Sequence, residues 1–148
     1  MGDRCEIVNH TIDEWSAWPD AEQALDSAVA AARSAGDTVL AVAPHRYWLI
    51  NGDHAVVGGA FAVTDLSHGY QCLRLFGADR FEVLAGGLPL DLDPASFPAG
   101  SVATSAIETI TVTIHNRGDV FDVYCQRSYM DSLAEWVESA VTEDVNLL

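Results

Sequence analysis

The chain has 148 residues, 49% of them apolar and 20% charged, with 22 acidic side chains against 7 basic ones and a net charge of −15. This apolar content excludes a disordered chain, and the length suits one domain over residues 1–148 that buries a core without a metal or disulfide staple. The acidity argues against nucleic acid or an anionic membrane as partner, and no apolar run approaches the ~20 residues that span a bilayer.

Residues 4–11 read as a short first strand, followed by a loop in which Trp15 and Trp18 are expected to cap the core. A helix is predicted over 19–35. Pro19 suits its first position and Asp20 and Glu22 its first turn, while Ala21, Leu25, Ala28, Val29 and Ala32 make the packed stripe and Gly36 the stop. Residues 38–43 and 46–50 are apolar and β-rich. Asn51-Gly52 is a hairpin signal, with a return strand over 54–64 bulged at Gly58-Gly59. Asp53-His54 beside that turn reads as a solvated pair. A second hairpin is expected from 70–76 and 80–84 around Gly77-Ala78-Asp79. Residues 85–105 contain three prolines and read as an irregular crossover, with Asp91 and Asp93 serving its turns.

The last hairpin carries the clearest pattern. With Arg117-Gly118 as a two-residue turn, Ile114 faces Phe121, Val112 faces Val123 and Ile110 faces Cys125. One sheet face is then apolar (Ile110, Val112, Ile114, Phe121, Val123, Cys125). The other is polar, with Thr109, Thr111, Thr113, His115, Asp122, Tyr124 and Gln126. A closing helix over 129–142, capped by Ser128 or Asp131, turns Leu133, Trp136, Val137, Ala140 and Val141 inward and Glu135 and Glu138 outward. The fold expected is α+β: a mainly antiparallel, twisted sheet of six to eight strands, with the two helices packed on one face.

Strong catalytic signatures are missing. There is no GxGxxG, GxxxxGK[ST], HExxH, GxSxG or EF-hand loop, and all seven basic residues are Arg, which excludes a P-loop lysine and a Schiff base. The histidines give no ligand pair on a helix turn. His45 and His54 would stand ~13 Å apart across their hairpin, too far to share an ion. No cofactor or metal and no catalytic residue is therefore assigned. Cys5, Cys72 and Cys125 are widely spaced, and Met1-Gly2-Asp3-Arg4-Cys5-Glu6 lacks a signal-peptide pattern, so reduced thiols in a cytoplasm are expected. Cys125 falls on the apolar face as core filler.

These features favour a small acidic cytoplasmic binding protein, of bacterial type, that inhibits or recruits a basic protein partner in the manner of an immunity protein. Two surfaces could serve it: the polar sheet face (Thr109, Thr111, Thr113, His115, Asp122, Tyr124), and the acidic helix face (Asp131, Glu135, Glu138). The alternative is a small enzyme or ligand binder with a pocket between the sheet and the 85–105 loop, lined by His115, Asp122 and Tyr124, with His115 as the natural base. A third reading is a homo-oligomer joined through the Thr-rich face or an unpaired strand edge.

Overall fold

A computed structural model describes residues 4–52 and 60–147, with side-chain environments to residue 141. In chain order the elements are strands β1 (Cys5–Val8) and β2 (Ile12–Ser16), helix α1 (Glu22–Ser34), strands β3 (Thr38–Ala43), β4 (Arg46–Ile50), β5 (Ala62–Asp65) and β6 (Tyr70–Leu75), helix α2 (Arg80–Ala85), strands β7 (Val102–Ile107), β8 (Ile110–Asn116) and β9 (Phe121–Gln126), and helix α3 (Met130–Leu147). The strands form two antiparallel sheets, of order β1-β6-β9-β8-β7 and β3-β4-β2-β5. The α+β, antiparallel class expected from the sequence is the class observed. The helices, however, are divided between the two sheets rather than gathered on one.

The chain correspondingly divides into two units. One joins the chain up to Val8 with the residues from Gly69 onward; the other is Asn9–His68. In the larger unit the alternation of the last hairpin decides the layering. Ile110, Val112, Ile114, Phe121, Val123 and Cys125 are all buried, together with Leu73 and Leu75 of β6 and Cys5 of β1. Helix α3 lays Met130, Leu133, Ala134 and Val137 into this core, and α2 adds Val83 and Leu84. Gly87 follows α2 at a close approach, since a Cβ there would collide with the Trp136 indole.

The register differs from the expected one by two residues. Ile114 pairs with Val123 and Asn116 with Phe121. The loop therefore holds four residues, closed by the Arg117 amide donating to the Val120 carbonyl at 2.9 Å, with Gly118 at φ 104° supplying the left-handed bend. Because the shift is even, each side chain keeps the face assigned to it. Thr109 does not belong to the strand. It lies with Glu108 (φ 53°) in the tight turn between Ile107 and Ile110.

In the smaller unit a 3-10 turn at Pro19–Ala21 leads into α1. Gly36, at φ 93°, ends that helix as expected: its amide reaches the Arg33 carbonyl at 3.1 Å and the Asp37 amide reaches Ala32 at 3.0 Å. Leu25, Val29 and Ala32 pack against Trp15, Val39 and Leu49 of the sheet. Trp15 is thus a strand residue of β2 rather than a loop residue, and only its burial matches the expectation.

Two further expectations fail on local grounds. Residues 80–84 are helix α2, not the return strand of a hairpin. Six residues with apolar side chains at 81, 83 and 84 fit either period, and packing against α3 decides for the helix. The irregular crossover is shorter than 85–105, because β7 begins at Val102. The first part of the expected 54–64 strand, Asp53-His54 and Gly58-Gly59 lie outside the described residues.

Candidate functional site

Strands β6, β9 and β8 place a set of polar side chains on the face opposite the apolar core. Asp122 pairs with Arg74 on one side and His115 on the other, and Tyr124 pairs with Cys72 and Thr113. The polar face read from the hairpin therefore exists, but it is not an open, wet surface. Asp122 is 0% exposed, Tyr124 and Thr113 are buried and His115 is half-buried, whereas Thr109, Thr111 and Gln126 are exposed.

A buried carboxylate requires compensation, and Asp122 has it twice over. Arg74 donates from Nε to Oδ1 at 2.8 Å and from Nη2 to Oδ2 at 3.1 Å, a two-pronged pairing. Arg117, from the loop, adds Nη1 to Oδ2 at 3.2 Å. Thr113 and Thr104 of β7 share a hydrogen bond at 3.2 Å.

The surroundings also fix the protonation states. Burial first, then the Asp122 charge, pushes the Cys72 thiol far up. Burial, with the neighbouring Cys72 and Asp122, does the same to the Tyr124 phenol. Burial pulls the His115 imidazole below its ordinary value, against Asp122 and with help from Arg117. Its Nδ1 is buried without a hydrogen-bond partner among the described residues. At neutral pH the cluster thus presents a thiol, a phenol, a neutral imidazole and a carboxylate whose two oxygens are both taken by guanidinium groups. Burial thus favours the protonated thiol and phenol, and both Asp122 oxygens accept from guanidinium groups. Within the cluster the buried charge of Asp122 is compensated by Arg74 and Arg117.

Among the described residues the 85–105 segment does not lie over His115, Asp122 and Tyr124, where a pocket was expected. Leu88, Leu92 and Phe97 of that segment are buried among the apolar side chains of the sheet, so it covers the other face. Asn116, from the apolar side of β8, ties it down through Nδ2 to the Phe97 carbonyl at 2.8 Å, while the Gly100 amide donates to the Asn116 carbonyl at 2.7 Å. The candidate base therefore faces away from the loop that was to enclose it. Asp91 and Asp93 do serve turns: the Asp93 amide donates to Asp91 Oδ1 and the Ala95 amide to Asp93 Oδ1, both at 3.0 Å. On α3, Asp131, Glu135 and Glu138 are exposed and form the expected outward acidic row.

Sequence reasoning missed Arg74 and Arg117, the cations that explain why Asp122 tolerates burial. It also misplaced Trp18, which does not cap the core but stands 82% exposed. Trp18 borders an open groove of about 540 Å³ in the smaller unit, together with Ser16, Pro44, His45, Arg46, Phe61 and Ala62. His45 is held at φ 57° in the β3–β4 turn, with Nε2 3.0 Å from Glu22, and Arg46 Nε lies 3.6 Å from Glu14.

The class defined by these features is an acidic α+β protein of two antiparallel sheets whose most polar cluster is internally neutralised and whose most exposed aromatic borders a groove. Residues 24–143 match the model of the sarcosine oxidase gamma subunit family (SoxG), and the chain belongs to that family. In three dimensions it is similar to a chain of the heterotetrameric sarcosine oxidase from Corynebacterium sp. U-96, solved in complex with pyrrole 2-carboxylate. The TM-score is 0.77 at 20% identity, over 97% of this chain and 87% of that one, a likeness of fold. No curated protein sequence matches.

The family overturns the reading of an immunity or inhibitor protein with a basic target. A net charge of −15 spread over helix faces and turns is a solubility property as readily as a recognition signal, and it does not specify a partner. No helix among the described residues is long and apolar enough to cross a membrane.

Proposed function

We propose that the chain is the small subunit of a hetero-oligomeric sarcosine oxidase, working in the cytoplasm, and that its 148 residues act as one subunit that supports assembly while the other subunits carry the redox chemistry. The observation that carries this reading is the family match across residues 24–143. The cluster around Asp122 agrees with it, because its carboxylate is held by Arg74 and Arg117 and its thiol and phenol stay protonated. On this reading Thr113, His115, Asp122 and Tyr124 maintain the larger sheet. The exposed acids Asp131, Glu135 and Glu138 keep the subunit soluble.

The test is co-expression of the tagged chain with the larger sarcosine oxidase subunits of the same organism, followed by native mass measurement and sarcosine-dependent oxygen uptake. A stoichiometric complex, whose assembly fails when this chain is omitted, is the expected result. Sarcosine oxidation by the isolated chain, or no association with the larger subunits, would refute the proposal.

A further inference from the structure

Among the described residues, the sheet of the smaller unit ends in a strand with one partner only. Strand β5 is the edge of the order β3-β4-β2-β5, and all four of its residues are exposed. The opposite edge strand, β3, is broken by a register shift between Ala41 and Ala43, a device that discourages further pairing. Among the described residues β5 has no such break. The Leu66 amide donates to the Ile12 carbonyl at 2.8 Å. By alternation, the backbone groups of Ala62 and Thr64 turn toward β2 and those of Val63 turn outward. Val63 is itself an exposed apolar side chain.

The groove bordered by Trp18 adjoins the start of this strand through Phe61 and Ala62. Its volume lies in the range of binding pockets, and an exposed tryptophan beside a pocket is the residue type that most often anchors an interface. Among the described residues, the groove lining carries the Arg46 guanidinium and no acidic side chain, on a chain whose net charge is −15. Arg46 touches Glu14 only at 3.6 Å and keeps 56% of its side chain exposed, so its guanidinium is available to a second carboxylate.

Resting on the subunit reading above, we propose that this groove and the outer edge of β5 are the seat of a larger subunit of the same enzyme. The occupant is an extended segment of that subunit. It adds a strand at Val63, places an apolar side chain between Trp18 and Phe61, and brings a carboxylate to Arg46.

The test uses the assembled enzyme, with the larger subunits as the probe, and three variants of this chain: Trp18→Ala, Arg46→Gln and Val63→Pro. Each alters an exposed residue, and Val63→Pro removes an outward amide that no ladder bond uses. Melting of the isolated variants within a degree or two of wild type checks the fold. Expected are a loss of affinity of about 30-fold for Trp18→Ala, as for an interface anchor, a smaller and salt-sensitive loss for Arg46→Gln, and slowed hydrogen exchange at residues 62–64 on assembly of the wild type. Wild-type assembly with unchanged affinity in Trp18→Ala and Val63→Pro would overturn the docking surface and leave the subunit reading intact. Failure of the wild type to assemble would overturn both.

Discussion

Replacing Asp122 by Asn tests whether the buried carboxylate holds the larger sheet together. The substitution keeps the shape and removes the charge. Two guanidinium groups are then left facing an amide whose nitrogen is itself a donor, so a donor–donor contact replaces one of the bonds now made at 2.8, 3.1 and 3.2 Å. Breaking one partner of a fully buried pair costs roughly 3–5 kcal/mol. Asp122 is fully buried, but Arg74 and Arg117 keep 22% and 37% of their side chains exposed and regain hydration. The cost should therefore fall at or below the lower end, about 2–3 kcal/mol. For a chain of this size that is a fall in Tm of roughly 5–10 °C. Urea unfolding at pH 7 would show it as a lower midpoint at unchanged slope. A double-mutant cycle with Arg74→Gln should return a coupling of about 1–2 kcal/mol that 1 M NaCl barely reduces, since salt screens a buried pair little. A cost under about 0.5 kcal/mol for Asp122→Asn, or additive single variants, would refute the claim that this carboxylate stabilises the sheet.

Two further outcomes follow from the same unit. His115 has its folded-state value depressed by burial, so it is neutral in the folded protein at a pH where the unfolded chain already binds a proton. Its contribution is complete above about pH 6.5 and is lost as the pH falls from there through the lower folded value. Melting temperatures between pH 5 and 7.5 should rise less steeply in His115→Gln than in wild type, and equal slopes would exclude the imidazole as the titrating group. At Gly87 an added Cβ meets the Trp136 ring. Gly87→Ala should therefore destabilise by about 1–3 kcal/mol, and chemical unfolding of Gly87→Ala with Trp136→Leu should show less than the sum of the two single costs.

The last hairpin shows what a sequence pattern can and cannot fix. Strict alternation from Ile110 to Gln126 assigns every side chain to a face, and the observed faces are those. Alternation constrains register only to within an even number of residues, so it could not distinguish the two-residue turn from the observed four-residue loop of 117–120. The division into two sheets was illegible for a different reason. It depends on β1 pairing with β6 (Val8 with Cys72), and no local pattern reports a partner so distant in the sequence. Strand β2 was hidden by composition, because Asp13 and Glu14 interrupt the apolar signal of Ile12 and Trp15.

The same non-locality explains the candidate site. His115 pairs with Asp122, and Tyr124 lies two residues further along the same strand, but a polar face was equated with a wet one. That inference fails whenever a neighbouring strand brings a counter-charge, as β6 does with Arg74. Charge misled in a second way. The acids of α3 are exposed at helical spacing, which is what any solvated helix face looks like, and they carry no preference for a basic partner over water. A tryptophan left 82% exposed is different, because water is a poor environment for an indole and an interface removes that cost. Partner recognition in this chain is therefore better sought where an apolar side chain is exposed beside an unpaired strand edge than where its many acids are.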